Sequence, residues 1–315
     1  MATILVIKEQ LKRFYGKFDI YVIAVLKFFG ALIALMLINS NIGYMEKLKS
    51  LAVVLVASLL CSILPIGGMA LLCGVFILAH LYTVSLELAG VAFVLFLLMF
   101  LLYIRFDSSI GYILILTPIL FWLKLPYLVP LLAGLTGGIS AAVPAGMGVI
   151  VYYFLEYAKA NSPALSNSTT ETLLQNLTMI IDGMLQNRLM MLTAIAFIVT
   201  TVIVFLIKSL SIDYAWPIAI GTGMVVNMVI LLVGEFSLDL SASIAGMIVG
   251  NIVAALIMLA LQFFIFAVDY SRTERVSFED DDYVYYVKAV PKMSVSTPHV
   301  NVKRINAQRT KRQSS

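Results

Sequence analysis

Two short stretches of this chain repeat one spacing of residues that could expose backbone groups to a ligand. Tyr127, Pro130 and Gly134 are followed by Thr136 and Gly137, and Tyr214, Pro217 and Gly221 by Thr222 and Gly223. Proline removes a backbone hydrogen-bond donor and glycine permits unwinding, so a helix built from such a stretch can open and present bare carbonyls and amides. In apolar surroundings those groups bind an ion or a small solute. Gly138 adjoins the first copy, and Asn227 and Asn251 lie beyond the second. The expected substrate-binding residues are Gly134, Gly137, Gly138, Gly221, Gly223, Asn227 and Asn251. The competing reading is helix packing, in which small residues let helices touch and asparagines bond across the interface. Gly246 and Gly250 form a G-x-x-x-G pair of that kind.

Ionisable groups in apolar surroundings are few. His80 and Glu87 stand two helical turns apart, and on one helix they would share a face able to pass a proton. The stretch "HLYTVSLE" falls between two apolar runs, however, so a solvated hairpin is expected there. Lys27 is placed to snorkel toward the headgroups, and Lys124, beside Trp122, Pro126 and Tyr127, to anchor at the interface.

Other chemistry is missing from the sequence. His80 and His299 are the only histidines, so no histidine-rich metal site is expected. There is no G-x-x-x-x-G-K-[ST] phosphate loop and no G-x-S-x-G nucleophile elbow. The acidic run at 279–282 reads as a solvated segment. The expectation is a protein that is not an enzyme and carries no cofactor and no metal. Cys61 and Cys73 both fall in apolar runs and read as small buried hydrophobes.

The elements that must position these residues follow from composition. The chain is 62% hydrophobic and 12% charged, with a mean hydropathy of +1.02, whereas soluble domains carry roughly 25% charged residues. A bilayer needs about 20 apolar residues per helical span, because a helix satisfies its own backbone. The expected fold is all-α, a polytopic transmembrane bundle of about ten spans, with one amphipathic extracytoplasmic helix and a cytoplasmic tail. The spans are expected at 21–37, 51–64, 69–82, 88–104, 110–123, 126–142, 143–157, 189–207, 215–233 and 240–268. The long polar interruption is 159–188, in which Leu173, Leu174, Leu177, Ile180, Ile181, Met184 and Leu185 recur at helical spacing. Thr169 or Thr170 is its candidate cap.

The domains follow: a basic cytoplasmic segment 1–19, a first membrane bundle 20–158, the extracytoplasmic segment 159–188, a second bundle 189–268, and a cytoplasmic tail 269–315. Basic residues cluster at both ends, Lys8, Lys12, Arg13 and Lys17 in one and nine between Arg272 and Arg312 in the other, which puts both termini inside. Lys47, Lys49, Lys124, Lys159 and Arg188 run against that bias. The expected partners are the lipid bilayer, anionic lipid at the basic termini and a cytoplasmic protein bound through the tail, with no nucleic acid. In the tail, "YVYYVKAVP" is β-prone and suits docking in an extended form.

In this topology the two repeated stretches cross the membrane in opposite directions, as in the inverted repeats of secondary transporters. The expected function is transport: a permease for a small solute or ion, or the membrane subunit of a larger transporter, in the plasma membrane. The alternative is a non-transporting scaffold of the cell envelope whose tail recruits partners.

Overall fold

The computed structural model describes residues 2–106, 110–165, 173–238, 243–266, 274–279 and 284–289. In chain order the helices are α1 (Ala2–Ile42), α2 (Glu46–Lys49), α3 (Leu51–Ile63), α4 (Ile66–Tyr82), α5 (Leu86–Phe106), α6 (Tyr112–Trp122) and α7 (Leu128–Thr136). A 3-10 turn over Ile139–Ala141 leads into α8 (Ala142–Leu165), followed by α9 (Leu173–Leu185), α10 (Arg188–Lys208), α11 (Ala215–Ser237) and α12 (Ile244–Phe266). Residues 18–265 form one compact unit, and residues 1–17 with 266–315 form another. Phe18, where the first unit gives way to the second along the chain, has non-helical backbone angles (φ −129°, ψ 29°).

Five helices of the main unit are long and apolar enough to cross a membrane: Phe18–Ile42, Ile139–Leu165, Arg188–Lys208, Ala215–Ser237 and Ile244–Phe263. Leu51–Ile63, Ile66–Tyr82, Leu86–Leu102 and Tyr112–Trp122 are apolar but shorter. Polar side chains start several of these helices. Ser50 Oγ accepts the Val53 amide at 3.4 Å, Ser85 Oγ the Leu88 amide at 3.1 Å, and Asn187 Oδ1 the Met190 amide at 2.9 Å. Pro65 lies between α3 and α4, and Lys27 Nζ reaches the free Leu64 carbonyl there at 3.1 Å.

Apart from a small cluster of Ala31, Cys61 and Met69, apolar packing forms two large clusters that share α6 and α8. In one, α1, α3, α4 and α5 pack on Met147, Val151, Phe154 and Leu155 of α8. In the other, α7, α10, α11 and α12 pack on α6 and on Ala145 and Val149 of α8. The central position of α8 depends on its small residues: a Cβ at Gly148 would collide with Thr117 of α6, and one at Gly146 would lie 2.6 Å from Ile198 of α10. The apolar span within Ile139–Leu165 is accordingly 56% buried, against 17% for that of Phe18–Ile42.

Two features differ from expectation, and a third, the break within 126–142, is one that the glycines of the first stretch allow. First, the stretch 80–87 makes the expected turn between α4 and α5, with Tyr82 and Leu86 exposed, but its ionisable groups are withdrawn: His80 is fully buried and Glu87 is 7% exposed. Residues 43–50, with the one-turn helix α2, fold over this end of α4. The Met45 amide donates to His80 Nδ1 at 3.1 Å, so the ring hydrogen sits on Nε2, 2.8 Å from Asn39 Oδ1. Asn39 Nδ2 in turn donates to the Leu48 carbonyl at 3.1 Å. Second, α8 runs on through the start of the polar stretch to Leu165, helped by Asn161 Nδ2 bonding the Tyr157 carbonyl at 2.9 Å. Third, α7 is only 9 residues long and stops where Gly137 and Gly138 turn extended, so the expected span 126–142 is a broken element.

The amphipathic segment forms α9, and its apolar face is docked on the bundle: Ile180 is fully buried and Tyr157 Oη donates to the Met179 carbonyl at 3.0 Å. Its candidate caps, Thr169 and Thr170, lie outside the described residues. In the other unit, β1 (Glu274–Glu279) pairs antiparallel with β2 (Val284–Ala289), Glu274 opposite Ala289 and Glu279 opposite Val284. The β-prone stretch is therefore one arm of a hairpin. Of the acidic run, Glu279 ends β1 and 280–282 lie outside the described residues.

Candidate functional site

α10 is the element on which the repeated stretches meet, with α7, α8 and α11 packed around it. Gly134, from the first stretch, lies so close that an added Cβ would stand 2.6 Å from Val204 Cβ and 2.8 Å from the Thr201 carbonyl. Gly223, from the second stretch, meets the other methyl of the same Val204, and an added Cβ there would be 2.7 Å from Leu131. Carbon atoms rest at about 3.5–4.0 Å, so both glycines permit contacts no larger residue could make. The hydroxyl of Thr201 donates to Phe197 at 2.7 Å and lies 3.4 Å from the carbonyl of Pro130, the proline of the first stretch.

Beside Val204 a row of polar groups crosses three apolar helices. Thr200 Oγ1 of α10 lies 3.5 Å from Asn227 Oδ1 of α11, Asn227 Nδ2 donates to Asn251 Oδ1 of α12 at 2.8 Å, and Asn251 Nδ2 donates to the Met247 carbonyl at 3.0 Å. Thr200, Asn227 and Asn251 are all buried.

The expected site residues thus separate. Gly134, Gly223 and Asn227 converge on the face of α10 that carries Thr200 and Val204, and Asn251 joins them through Asn227. Gly137 shapes the turn after α7, where a Cβ would lie 2.5 Å from Ala141 and 3.1 Å from Ile110. Gly138 is half-buried beside Ser140, and Gly221 is exposed with nothing within 4 Å of an added Cβ.

One further residue of this face falls in the segment that sequence reading left between spans. Gly223, Asn227, Leu231 and Glu235 are all buried and recur at four-residue spacing on α11. The same periodicity, followed past Val233, would have placed Glu235 on the polar face. Glu235 is 7% exposed, and its Oε2 has no hydrogen-bond partner. Tyr127, just before α7, and Tyr153, on α8, come close enough to interact electrostatically with it. Tyr153 also interacts with Thr193 of α10, whose own hydroxyl donates to the Leu189 carbonyl at 2.7 Å. An aromatic wall adjoins Tyr153: Phe121 stacks on Tyr152 with centroids 4.2 Å apart, and Tyr152 meets Tyr153 edge-on at 5.3 Å.

Chemically the face offers amide and hydroxyl groups at mid-helix and a carboxyl group one turn from the end of α11. Among the described residues no three His, Cys, Asp or Glu side chains gather to hold a metal ion. Cys61 and Cys73 are buried and free. No protein family, curated protein or solved structure matches the chain. Long apolar helices packed in this way are those of an integral membrane protein.

Proposed function

We propose that the chain is a membrane transport protein, a permease for a small solute or ion or the membrane subunit of a larger transporter. The observation that carries this reading is the polar face of α11, where Asn227 and Glu235 are buried on an otherwise apolar helix. Polar and ionisable groups inside membrane helices are costly and concentrate along substrate and ion pathways. The break after α7 supports the same reading, since interrupted helices line transporter sites. The four shorter apolar helices bring the crossings of the plasma membrane to nine, and the α7 segment counts as the tenth, which leaves α9 outside and both termini inside. The bilayer, anionic lipid at the basic ends and a protein bound through the tail are the partners that fit this arrangement.

The scaffold reading is favoured by one specific observation. Val204 fills the space between Gly134 and Gly223, the contact expected of helices held together. The two readings separate in proteoliposomes. The reconstituted full chain should conduct at least one of a panel of inorganic ions, amino acids and sugars, and Asn227→Leu should reduce that flux at least tenfold while the protein stays folded. Folded protein that moves none of them leaves the scaffold. Cysteines placed at Ser168 and Ser296 should label from opposite sides of the membrane; labelling from one side overturns the topology.

A further inference from the structure

We infer that Glu235 is a proton-binding site, taking up and releasing one proton at the end of the α11 polar face. The inference deepens the transport reading by naming its coupling ion, and its test reads proton binding without requiring transport.

The argument begins with what surrounds the carboxyl group. Tyr127 comes near it from the turn before α7, its ring resting on Gly250 of α12, and Tyr153 comes near it from α8, beside Thr193 of α10. None of these is a cation. Glu156, the neighbouring acid on α8, is placed against Tyr152. Arg188, at the start of α10, and Lys124, in the turn before α7, are exposed. A charged Glu235 would therefore be buried without a compensating charge, the costliest state available to it. Its position adds to the cost. Glu235 lies in the last turn of α11, which ends at Ser237, and helix C-termini carry the negative pole of the backbone dipole. A proton on the carboxyl group removes both penalties. It also supplies a donor to the unpartnered Oε2, in the turn where helix carbonyls lack amide partners.

A metal cation fits the same position poorly. Hard cations gather about six or more oxygen ligands. Here no group of three or more His, Cys, Asp or Glu side chains that could hold a metal ion includes Glu235 among the described residues. A proton needs only the carboxyl oxygen itself. On release the Oε2–H bond breaks, its electron pair stays on the carboxylate, and the proton passes to water at the end of the bundle. Uptake reverses the step, and nothing is oxidised or reduced.

The test is infrared difference spectroscopy of the full chain in lipid nanodiscs as pH is raised from acid to alkaline. Wild type should show the loss of a protonated-carboxyl band that is missing from Glu235→Gln, and Tyr153→Phe should shift the pH at which it disappears. Circular dichroism on the same samples establishes that each variant is folded. Superimposable spectra from wild type and folded Glu235→Gln overturn the proposal. If Glu235→Gln fails to fold, an unmoved band in Tyr153→Phe does so as well. Loss of the wild-type band on adding sodium at fixed pH would also overturn it, in favour of a sodium site. Proton binding without solute flux would retain this inference and remove the transport reading.

Discussion

The two large apolar clusters of the bundle bury ionisable side chains, His80 and Glu87 in one and Glu235 in the other, and they treat His80 and Glu235 in opposite ways. In the cluster built on α1, α3, α4 and α5, both ring nitrogens of His80 have partners, and Asn39 extends the network to the loop that covers it. In the cluster built on α7, α10, α11 and α12, Glu235 keeps an oxygen without a partner beside two tyrosines. A fully satisfied buried polar group fixes one arrangement of its neighbours. A carboxyl group left incomplete is stabilised by whatever arrives to complete it. On this comparison, the α4 end of the molecule holds a loop in place, and the α11 end is where proton binding is proposed.

The largest effect that sharpens the comparison belongs to packing within the second cluster. Gly223→Leu must push a side chain into Val204 and Leu131, and overpacking of this kind costs about 1–3 kcal/mol. Gly221→Leu, two residues earlier in the same stretch, meets open space and should stay within about 0.5 kcal/mol of wild type. Thermal unfolding in detergent measures both. Equal losses would show that the glycines do not differ as their surroundings imply. Next comes His80→Leu. It strands the Met45 amide and Asn39 Oδ1, and an unsatisfied buried group costs about 1–3 kcal/mol, less here because both residues are half-buried. Hydrogen exchange at 43–50 should accelerate in this variant while exchange in α10 stays unchanged.

These predictions rest on features that were unequally legible in the sequence. Apolar run length is enough to announce helices, because a membrane leaves the backbone no other partner, and the amphipathic spacing of 173–185 announced α9. The pairing of Asn227 with Asn251 was readable as a possibility of helix packing, since both lie deep within apolar runs. The burial of His80 was not, because the stretch from His80 to Glu87 looks like any polar turn. Its cover comes from residues 43–50, some 35 positions away in the chain. Glu235 was hidden by a boundary: with the span ended at Val233, the carboxyl group fell into a loop, although its four-residue spacing from Leu231 continues the buried face. That Gly134 and Gly223 share one valine is a three-helix fact, and no spacing along a single segment carries it.

A smaller effect is expected from the tail. Residues from Phe266 onward belong to a unit separate from 18–265, and the spans carry the apolar surface that drives insertion. Truncation after Tyr270 should leave the unfolding midpoint of the bundle unchanged within experimental error. A clear drop would mean that the hairpin stabilises the bundle, and the tail would no longer be a free docking element.

The smallest expected effect is the one on which the comparison turns. Glu235→Gln replaces a carboxyl group by an amide of nearly the same shape, at a position where the native group already lacks a partner. If Glu235 contributed to the fold as His80 does, its loss would expose a stranded partner and cost about 1–3 kcal/mol. No hydrogen bond to Oε2 exists to be lost, so stability should stay within about 0.5 kcal/mol of wild type. The amide brings two donors to a site with tyrosine hydroxyls and helix-end carbonyls nearby, which leaves even a slight gain open. Thermal unfolding of Glu235→Gln and His80→Leu in the same detergent decides the matter. Two equal losses would make both residues structural and erase the distinction between the ends of the bundle. A loss at His80 with none at Glu235 leaves the carboxyl group without a structural reason to be buried, and proton binding becomes the account of why it is there.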